Sequence, residues 1–227
     1  MTHVLNIPRH ALTVVSFFAP RYEQWPGVDY DQCLDVLDAS CKRLGLRHVC
    51  ISDQQRPRVE TFLTDLPGNL MQAFLVGQMA YLKHADGKPV LFTGADCIIT
   101  RDPTEICHGY DMAITTRHYT DMNTGGVWCY SKACIEAFEH ALALNPQHWG
   151  DDQTCLLAGI RKTQGLRLRE LPMRDYNAKP RTDTDKIDRP PLIVHCKGRA
   201  ERKALMRPWY SNFCRVHDDK KVSADAA

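Results

Sequence analysis

The sequence predicts an α/β fold in which helices cover both faces of a mainly parallel central sheet. Through roughly the first hundred residues, strand-like and helix-like runs follow one another in the order β-α-β-α-β, with a polar loop before the second helix. This order is typical of a parallel sheet covered by helices. The chain has 227 residues, of which 44% are hydrophobic and 25% are charged, which suffices for one large domain with a full core.

The elements of the first half follow from the spacing of apolar residues. Apolar residues recur at helical spacing over residues 29–44 and 70–84, and Gly45 is a natural stop for the first of these helices. Short apolar runs predict the parallel strands at residues 12–18, 46–52 and 89–93.

The second half is predicted to alternate less regularly. A polar loop that contains Asn123 and Gly125 is expected between two short strands, and residues 175–191, with three prolines, predict a long loop. Residues 218–227 are expected to form a disordered tail. The sequence shows no internal repeat and no linker, so one domain is expected. The other expected elements are strands at 111–116, 126–131, 166–171 and 192–194 and helices at 132–144 and 154–160.

Basic residues are concentrated near the carboxyl end, although the net charge is only +2. Between Arg174 and Lys221, thirteen Lys and Arg stand against seven Asp and Glu. Such an excess indicates either a phosphate-bearing partner or a solvated tail.

Cysteine usage and the amino-terminal sequence indicate a compartment. The ten cysteines are scattered and form no Cys-x-x-Cys pair, which favours buried free thiols in a reducing cytoplasm. The first apolar run, residues 11–19, is too short to span a bilayer, and no secretory pattern precedes it. The sequence therefore predicts a cytoplasmic protein, in the host cytoplasm if it is viral, with no transmembrane segment.

A candidate site follows the strand at residues 89–93. Gly94 and Ala95 are small, and they place the Asp96 carboxylate at the carboxyl end of this strand. Ligands of open α/β sheets bind outside the carboxyl ends of strands, where an aspartate can hold a cation. The alternative is a simple turn with a solvated aspartate.

Four segments, in this order, resemble the motifs of a family of GT-A-type glycosyltransferases that includes the lipopolysaccharide galactosyltransferases and glycogenin. The resemblance covers roughly residues 11–203. The family carries an Asp-x-Asp after a strand, then an Asn-x-Gly turn, an Asp-Gln pair and a His-x-x-Gly segment. The counterparts here are Gly94-Ala95-Asp96, Asn123-Thr124-Gly125, Asp152-Gln153 and His195-Cys196-Lys197-Gly198.

The resemblance implies a GT-A-like, Rossmann-type domain over residues 1–217. Residues 1–110 would form the nucleotide-binding half and residues 111–217 the acceptor and catalytic half. Such a protein moves a sugar from a nucleoside diphosphate sugar, here a UDP-hexose, to a hydroxyl acceptor. Asp96 and His195 would hold a divalent metal, for which a carboxylate and an imidazole suit Mn²⁺ or Mg²⁺.

The resemblance also implies the residues that contact the donor and carry the chemistry. Those expected to bind the nucleotide sugar are Ala19, Pro20, Arg21, Asp53, Asp96, Asn123, Gly125, Lys197, Gly198, Arg199 and Lys203. The expected catalytic element is Asp151, Asp152 and Gln153. In a retaining enzyme Asp152 and Gln153 contact the sugar, whereas in inverting galactosyltransferases a carboxylate in such a pair is the general base. The structural alternative for these acids is helix capping.

Two departures from the family pattern leave points open. Gly94 stands where the first acid of Asp-x-Asp is expected, which weakens the expectation of a metal. The family continues with Lys-Pro-Trp three residues after the closing glycine, where this chain has Glu201, with Arg202 and Lys203 next to it. The basic residue that contacts the diphosphate is therefore not decided by the motif.

The acceptor is also open at this stage. A hydroxymethylated base in DNA, the substrate of some bacteriophage enzymes, would suit the basic end. A saccharide is the other class.

Two other functions compete. A sugar nucleotidyltransferase would carry a Gly-rich loop after the first strand, which residues 17–21 lack, and a non-enzymatic nucleic-acid-binding module would interleave its basic residues with aromatics.

Overall fold

A central seven-stranded sheet and a smaller three-stranded sheet organise the chain in a computed structural model. The structure describes residues 12–22, 26–117 and 121–225, without the side chains of 105, 121–124 and 218–225. The strands are β1 Thr13–Phe17, β2 Arg47–Ser52, β3 Glu60–Leu63, β4 Val90–Gly94, β5 Cys97–Ile99, β6 Met112–Arg117, β7 Asp121–Cys129, β8 Leu168–Pro172, β9 Asn177–Ala178 and β10 Ile193–His195. The helices are α1 Tyr30–Arg43, α2 Leu70–Ala85, α3 Ala133–Leu142, α4 Asp151–Lys162, α5 Met173–Tyr176, α6 Ala200–Ala204 and α7 Met206–Asp225.

The large sheet has the strand order β3-β2-β1-β4-β7-β6-β8. Its neighbours are parallel except at β7, which runs antiparallel to both β4 and β6. Phe17 at the end of β1 is in register with Gly94 at the end of β4, so these two strands end at the same edge. The sheet is therefore mainly parallel, as the sequence predicts.

Helices pack on both faces because neighbouring residues of each strand point in opposite directions. Val15 and Phe92 belong to a core shared with α2, α3 and α4. Val14 and Leu91, one position earlier in the same strands, belong to a second core shared with α1, α7 and the small sheet. Within the described residues, no helix is both long and apolar enough to cross a membrane.

The small sheet brings two distant segments together at the carboxyl edge of the large sheet. Its strand order is β5-β10-β9, and β10 runs antiparallel to β5 with His195 opposite Cys97. Because only two residues separate β4 from β5, Asp96 lies in the turn between the two sheets. The Cys196 amide donates to the Asp96 carbonyl over 2.8 Å, which fixes the end of β10 against this turn.

The Asn-x-Gly segment lies in a strand, whereas the sequence predicted a loop. Residues 123–125 are part of β7, and the pairing of β6 with β7 jumps from Ile114–Val127 to Thr115–Asn123. The extra residues form a β-bulge, which accommodates small and polar residues without ending the strand. The prediction was wrong here because Asn and Gly favour turns as well as bulges.

Other differences concern short or terminal elements. Strand β3, an edge strand whose side chains are only partly buried, was not predicted. The predicted loop at 175–191 begins with the end of α5 and with β9. Helix α4 starts at Asp151, three residues before the predicted start. Helix α7 continues to Asp225, through most of the segment that was expected to be disordered.

Candidate functional site

A pocket of about 300 Å³ opens at the carboxyl edge of the large sheet. The ends of β1 and β4 form its base, the first residues of α2 and α4 form one wall, and the segment after β10 forms the other. Its apolar lining includes Phe17, Phe18, Tyr22, Leu70, Met71 and Phe74. This is the position at which open α/β sheets bind ligands.

A buried ionic group lies on one wall of this pocket. Asp96 Oδ1 is 3.2 Å from His195 Nε2, and the Lys203 ammonium donates to Asp96 Oδ2. The three residues are 8%, 5% and 6% exposed, and all three line the pocket. Burial by itself raises the pKa of the Asp96 carboxyl, but His195 and Lys203 outweigh it and hold this pKa below its usual range. Asp96 is therefore an ionised, buried carboxylate.

A chain of hydrogen bonds orients His195. The Thr115 hydroxyl donates to the Gly126 carbonyl over 3.5 Å, and the Asn177 amide donates to Thr115 Oγ1 over 3.2 Å. This orients the Asn177 carbonyl oxygen towards His195 Nδ1, at 3.1 Å. Because Asn177 Oδ1 can only accept, Nδ1 carries the proton, and Nε2 faces Asp96 with either a proton or a cation between them.

Two glycines make room for this group. A Cβ atom on Gly94 would lie 2.6 Å from Asp96 Oδ1, and one on Gly125 would lie 2.6 Å from His195 Nδ1. Both distances are far below ordinary contact, so any side chain at either position would displace the aspartate or the histidine. The glycine that replaces the first acid of the related motif is thus explained by the close packing of Asp96.

The residues present fit a divalent cation. A histidine ligand typically donates its second ring nitrogen to another polar group, as His195 does to Asn177. Cys97 Sγ lies near the Asp96 and His195 ligand atoms, all within 4.8 Å of one another. Burial raises the pKa of the Cys97 thiol well above its ordinary value, so this thiol is protonated. Asp96 and His195 could thus supply one oxygen and one nitrogen, and the other ligands would come from water and phosphate oxygens.

Lysines give this wall a positive charge. Lys179, Lys197 and Lys203 all line the pocket, and neither Lys179 nor Lys197 pairs with a carboxylate among the residues that the structure describes. Burial lowers the pKa of Lys179, and the positive charges of Lys197 and Arg202 lower it further. Mutually repelling, partly buried cations are suited to an anionic ligand. The sequence did not single out Lys179, which lies in a segment that looks like a polar loop.

The start of α4 separates the predicted catalytic residues. Asp152 and Gln153 line the pocket, and Asp152 is 5% exposed. Asp151 does not line it. Its Oδ2 accepts from the backbone amides of Gln147 and His148 over 2.8 and 2.6 Å, which fixes the loop before the helix.

The other expected nucleotide-sugar residues are only partly brought together. Ala19, Gly125 and Gly198 line the pocket, whereas Pro20, Arg21, Asp53 and Arg199 do not. Arg21 instead pairs with Asp53, with 3.0 Å between Arg21 Nε and Asp53 Oδ2. The other oxygen, Asp53 Oδ1, is buried with no hydrogen-bond partner among the described residues. The Asn123 side chain lies outside the described residues.

Sequence reasoning also missed polar and aromatic groups in the pocket. Gln78 of α2 is 4% exposed, lines the pocket and has an Oε1 atom with no hydrogen-bond partner within the described part of the chain. Trp149 lines the mouth of the pocket and is 64% exposed. Gln78 looks like an ordinary helix residue in the sequence, and only the three-dimensional arrangement identifies it.

The fold is that of solved glycosyltransferases, although no protein-family model and no curated protein matches the sequence. A glycosyltransferase involved in the glycosylation of the major capsid of PBCV-1 is 16% identical, with a TM-score of 0.57 over 86% of this chain and 98% of that chain. The glycosyltransferase GlyE of Streptococcus pneumoniae TIGR4 is 14% identical, with a TM-score of 0.55 over 92% and 64% of the two chains. The galactosyltransferase LgtC, in complex with donor and acceptor sugar analogs, is 14% identical, with a TM-score of 0.52 over 86% and 94%. The chain therefore has a GT-A-type fold, as the sequence motifs predicted.

Proposed function

We propose that the protein is a glycosyltransferase that moves a hexosyl group from a UDP-hexose to a hydroxyl acceptor. The observation that carries this proposal is the ionised Asp96, buried between His195 and Lys203 at the carboxyl edge of a GT-A-type sheet. A buried carboxylate with a partly exposed set of lysines beside it suits a metal-diphosphate group better than a structural ion pair.

The diphosphate would lie against the positive wall. Lys179, Lys197 and Lys203 neutralise its charge, and Gly198 leaves room for the phosphates close to the backbone. As the bond from the sugar to the diphosphate breaks, negative charge grows on the leaving group, and fixed cations stabilise that charge. Arg199 is exposed at the start of α6 and would contribute only long-range attraction.

The nucleoside and the hexosyl group would take the remaining surfaces. Ala19 lines the pocket and would contact the nucleoside, whereas Pro20 and the Arg21–Asp53 pair do not line it and would only position the neighbouring chain. Asp152 would accept from the sugar hydroxyls, and Gln153 would accept from or donate to them. Gln78 Oε1, which has no partner among the described residues, would accept from another sugar hydroxyl. An unsatisfied buried acceptor costs about 1–3 kcal/mol, which a ligand hydroxyl would recover.

Asp96 and His195 would hold the divalent cation, Mn²⁺ or Mg²⁺, with Asn177 behind the histidine and Asn123 and Gly125 on the neighbouring bulge. A bound cation would supply Lewis-acid charge to the diphosphate. Ten free cysteines, eight of them buried, support the cytoplasm as the place of action. The acceptor hydroxyl belongs to a modified DNA base or to a saccharide.

The test is binding of UDP and UDP-hexoses with Mn²⁺ or with EDTA, followed by thermal unfolding. A ligand at a hundred times its dissociation constant adds about 2.7 kcal/mol to stability. We expect stabilisation with Mn²⁺ that is lost in Asp96→Asn. The matched control is Asp86→Asn, which neutralises a carboxylate paired with Lys132 on the surface. The absence of any nucleotide effect on the wild type would overturn the proposal.

The same preparation separates the competing functions. A glycosyltransferase releases UDP from a UDP-hexose, slowly to water and faster to an acceptor. A sugar nucleotidyltransferase would instead form pyrophosphate from UTP and a sugar phosphate. A nucleic-acid-binding module would bind DNA without any response to UDP.

A further inference from the structure

Trp149 is a large aromatic side chain whose exposure is unusual for its position. It is 64% exposed at the mouth of the pocket, whereas Trp128 and Trp209 are fully buried. Exposing an indole to water is unfavourable by about 25 cal/mol for each Å² of apolar surface. Beside a pocket, an exposed indole is therefore well suited to cover a flat ligand.

The loop that carries Trp149 is held in place although the indole is exposed. The preceding loop is fastened to the start of α2, where the Asn69 amide donates to the Gln147 carbonyl over 3.0 Å and the Gln72 amide donates to Asn145 Oδ1 over 2.7 Å. The Asp151 carboxylate binds the same loop from the other side. The backbone of this loop is thus ordered before any ligand arrives, which lowers the entropic cost of binding.

The two segments in the wall around Trp149 contribute no cation, and the Arg21 guanidinium that donates to the Leu66 carbonyl is paired with Asp53. Residues 66–78 and 145–153, which supply this wall, contain no Lys or Arg, and their only charged groups are Asp151 and Asp152. The lysines of the pocket lie in the later segments, at Lys179 and beyond. Phosphates of a DNA acceptor would meet the Asp152 carboxylate here, whereas a neutral ring with many hydroxyl groups would meet an aromatic face, an amide and this carboxylate.

We propose that Trp149 is the platform of the acceptor subsite and that the acceptor is a neutral saccharide whose pyranose ring stacks on the indole. The inference rests on the proposed function, because it places the acceptor hydroxyl beside the hexosyl group held by Asp152 and Gln153. It decides between the two acceptor classes in favour of the saccharide and against the modified DNA base.

The experiment uses the full chain with UDP and Mn²⁺ and an array of neutral glycans. We expect the wild type to bind pyranosides on the array, and Trp149→Ala to lose binding about tenfold or more. Trp149→Phe, which keeps a flat ring, is expected to retain most of it. Tyr110→Ala is the matched control, since Tyr110 is an exposed aromatic that does not line the pocket. The affinity for UDP should be the same in all variants.

The remaining outcomes overturn the inference. Glycan binding that is unchanged in Trp149→Ala would exclude the platform, and a loss of UDP affinity in that variant would assign Trp149 to the donor. A wild type that binds UDP but no neutral glycan, or that transfers hexose to a 5-hydroxymethylcytosine oligonucleotide, would overturn the acceptor class alone. A wild type that binds no UDP would overturn the proposed function as well, so the two failures are distinguishable.

Discussion

Restoring the acid that the related motif carries at the position of Gly94 is expected to damage the site. A Cβ atom on Gly94 would lie 2.6 Å from Asp96 Oδ1, whereas ordinary contact begins at 3.4 Å. The carboxylate would therefore have to move by the difference, about 0.8 Å. Both of its oxygens are held, by His195 and by Lys203, so this movement must lengthen at least one of the two contacts.

The size of the effect follows from the packing. Forcing an extra atom into a well-packed interior costs about 1–3 kcal/mol, which is the loss of unfolding free energy expected for Gly94→Ala. Gly94→Asp adds a second negative charge beside Asp96 and should cost more. Because the displaced carboxylate is a proposed metal ligand, the Mn²⁺-dependent affinity for UDP should fall about 10- to 100-fold in both variants.

Urea unfolding measures the stability of these variants, and calorimetric titration with UDP and Mn²⁺ measures the affinity. Gly68→Ala is the matched control, because a Cβ atom there meets nothing within 4 Å and the backbone is not left-handed. If Gly94→Asp does not fold, Gly94→Ala carries the test. Tighter binding of Mn²⁺ and UDP by Gly94→Asp, which the motif alone would predict, would refute the packing argument.

Three further changes test other parts of the structure. Asn177→Leu removes the acceptor that holds His195, the proposed metal ligand, so Mn²⁺ affinity measured by electron paramagnetic resonance should fall about 10- to 100-fold, with Asn177→Asp retaining more of it than Asn177→Leu. Gln78→Met removes a buried amide whose Oε1 has no partner among the described residues, so thermal unfolding should show equal or greater stability while the KM for the UDP-hexose rises. The Arg167 guanidinium lowers the pKa of Asp111, so this pair stabilises the fold above the ordinary carboxyl pKa of about 3.9 and the contribution is lost as the pH falls through the lowered value. Asp111→Asn should therefore cost about 1 kcal/mol in urea unfolding at pH 7, and a much smaller amount at pH 3.

The longer elements could be predicted because their local signals agree with the fold. Helix α1 was expected at 29–44 and spans Tyr30–Arg43, with the Asp29 carboxylate accepting from the Gln32 amide at its start. Strands β1, β2 and β4 are mainly apolar because nearly all of their residues are buried, and their boundaries agree with the prediction within two residues. Here periodicity, capping and composition give the same answer.

The shortest strands gave weaker signals. The strand predicted at 192–194 agrees with β10 within one residue, whereas β5 and β9, with three and two residues, were not predicted. All three exist because the chain returns to the edge of the large sheet. Their pairing creates the contact between His195 and the turn at Asp96, which are 99 positions apart in the sequence. The resemblance could name these two residues, but only the fold supplies Asn177 and Thr115 behind them.

The basic residue of the closing segment shows why motif spacing was insufficient. The related motif has a lysine three residues after the glycine, where this chain has Glu201. Residues 200–204 form α6, and positions two apart on a helix lie about 200° apart around its axis. Glu201 is accordingly exposed, while Lys203 turns inward and its ammonium reaches Asp96 from the opposite face. Lys203 lies two positions after the site at which the related motif has its lysine, and it still reaches the pocket. Helical geometry rather than residue count decides which side chain points inward.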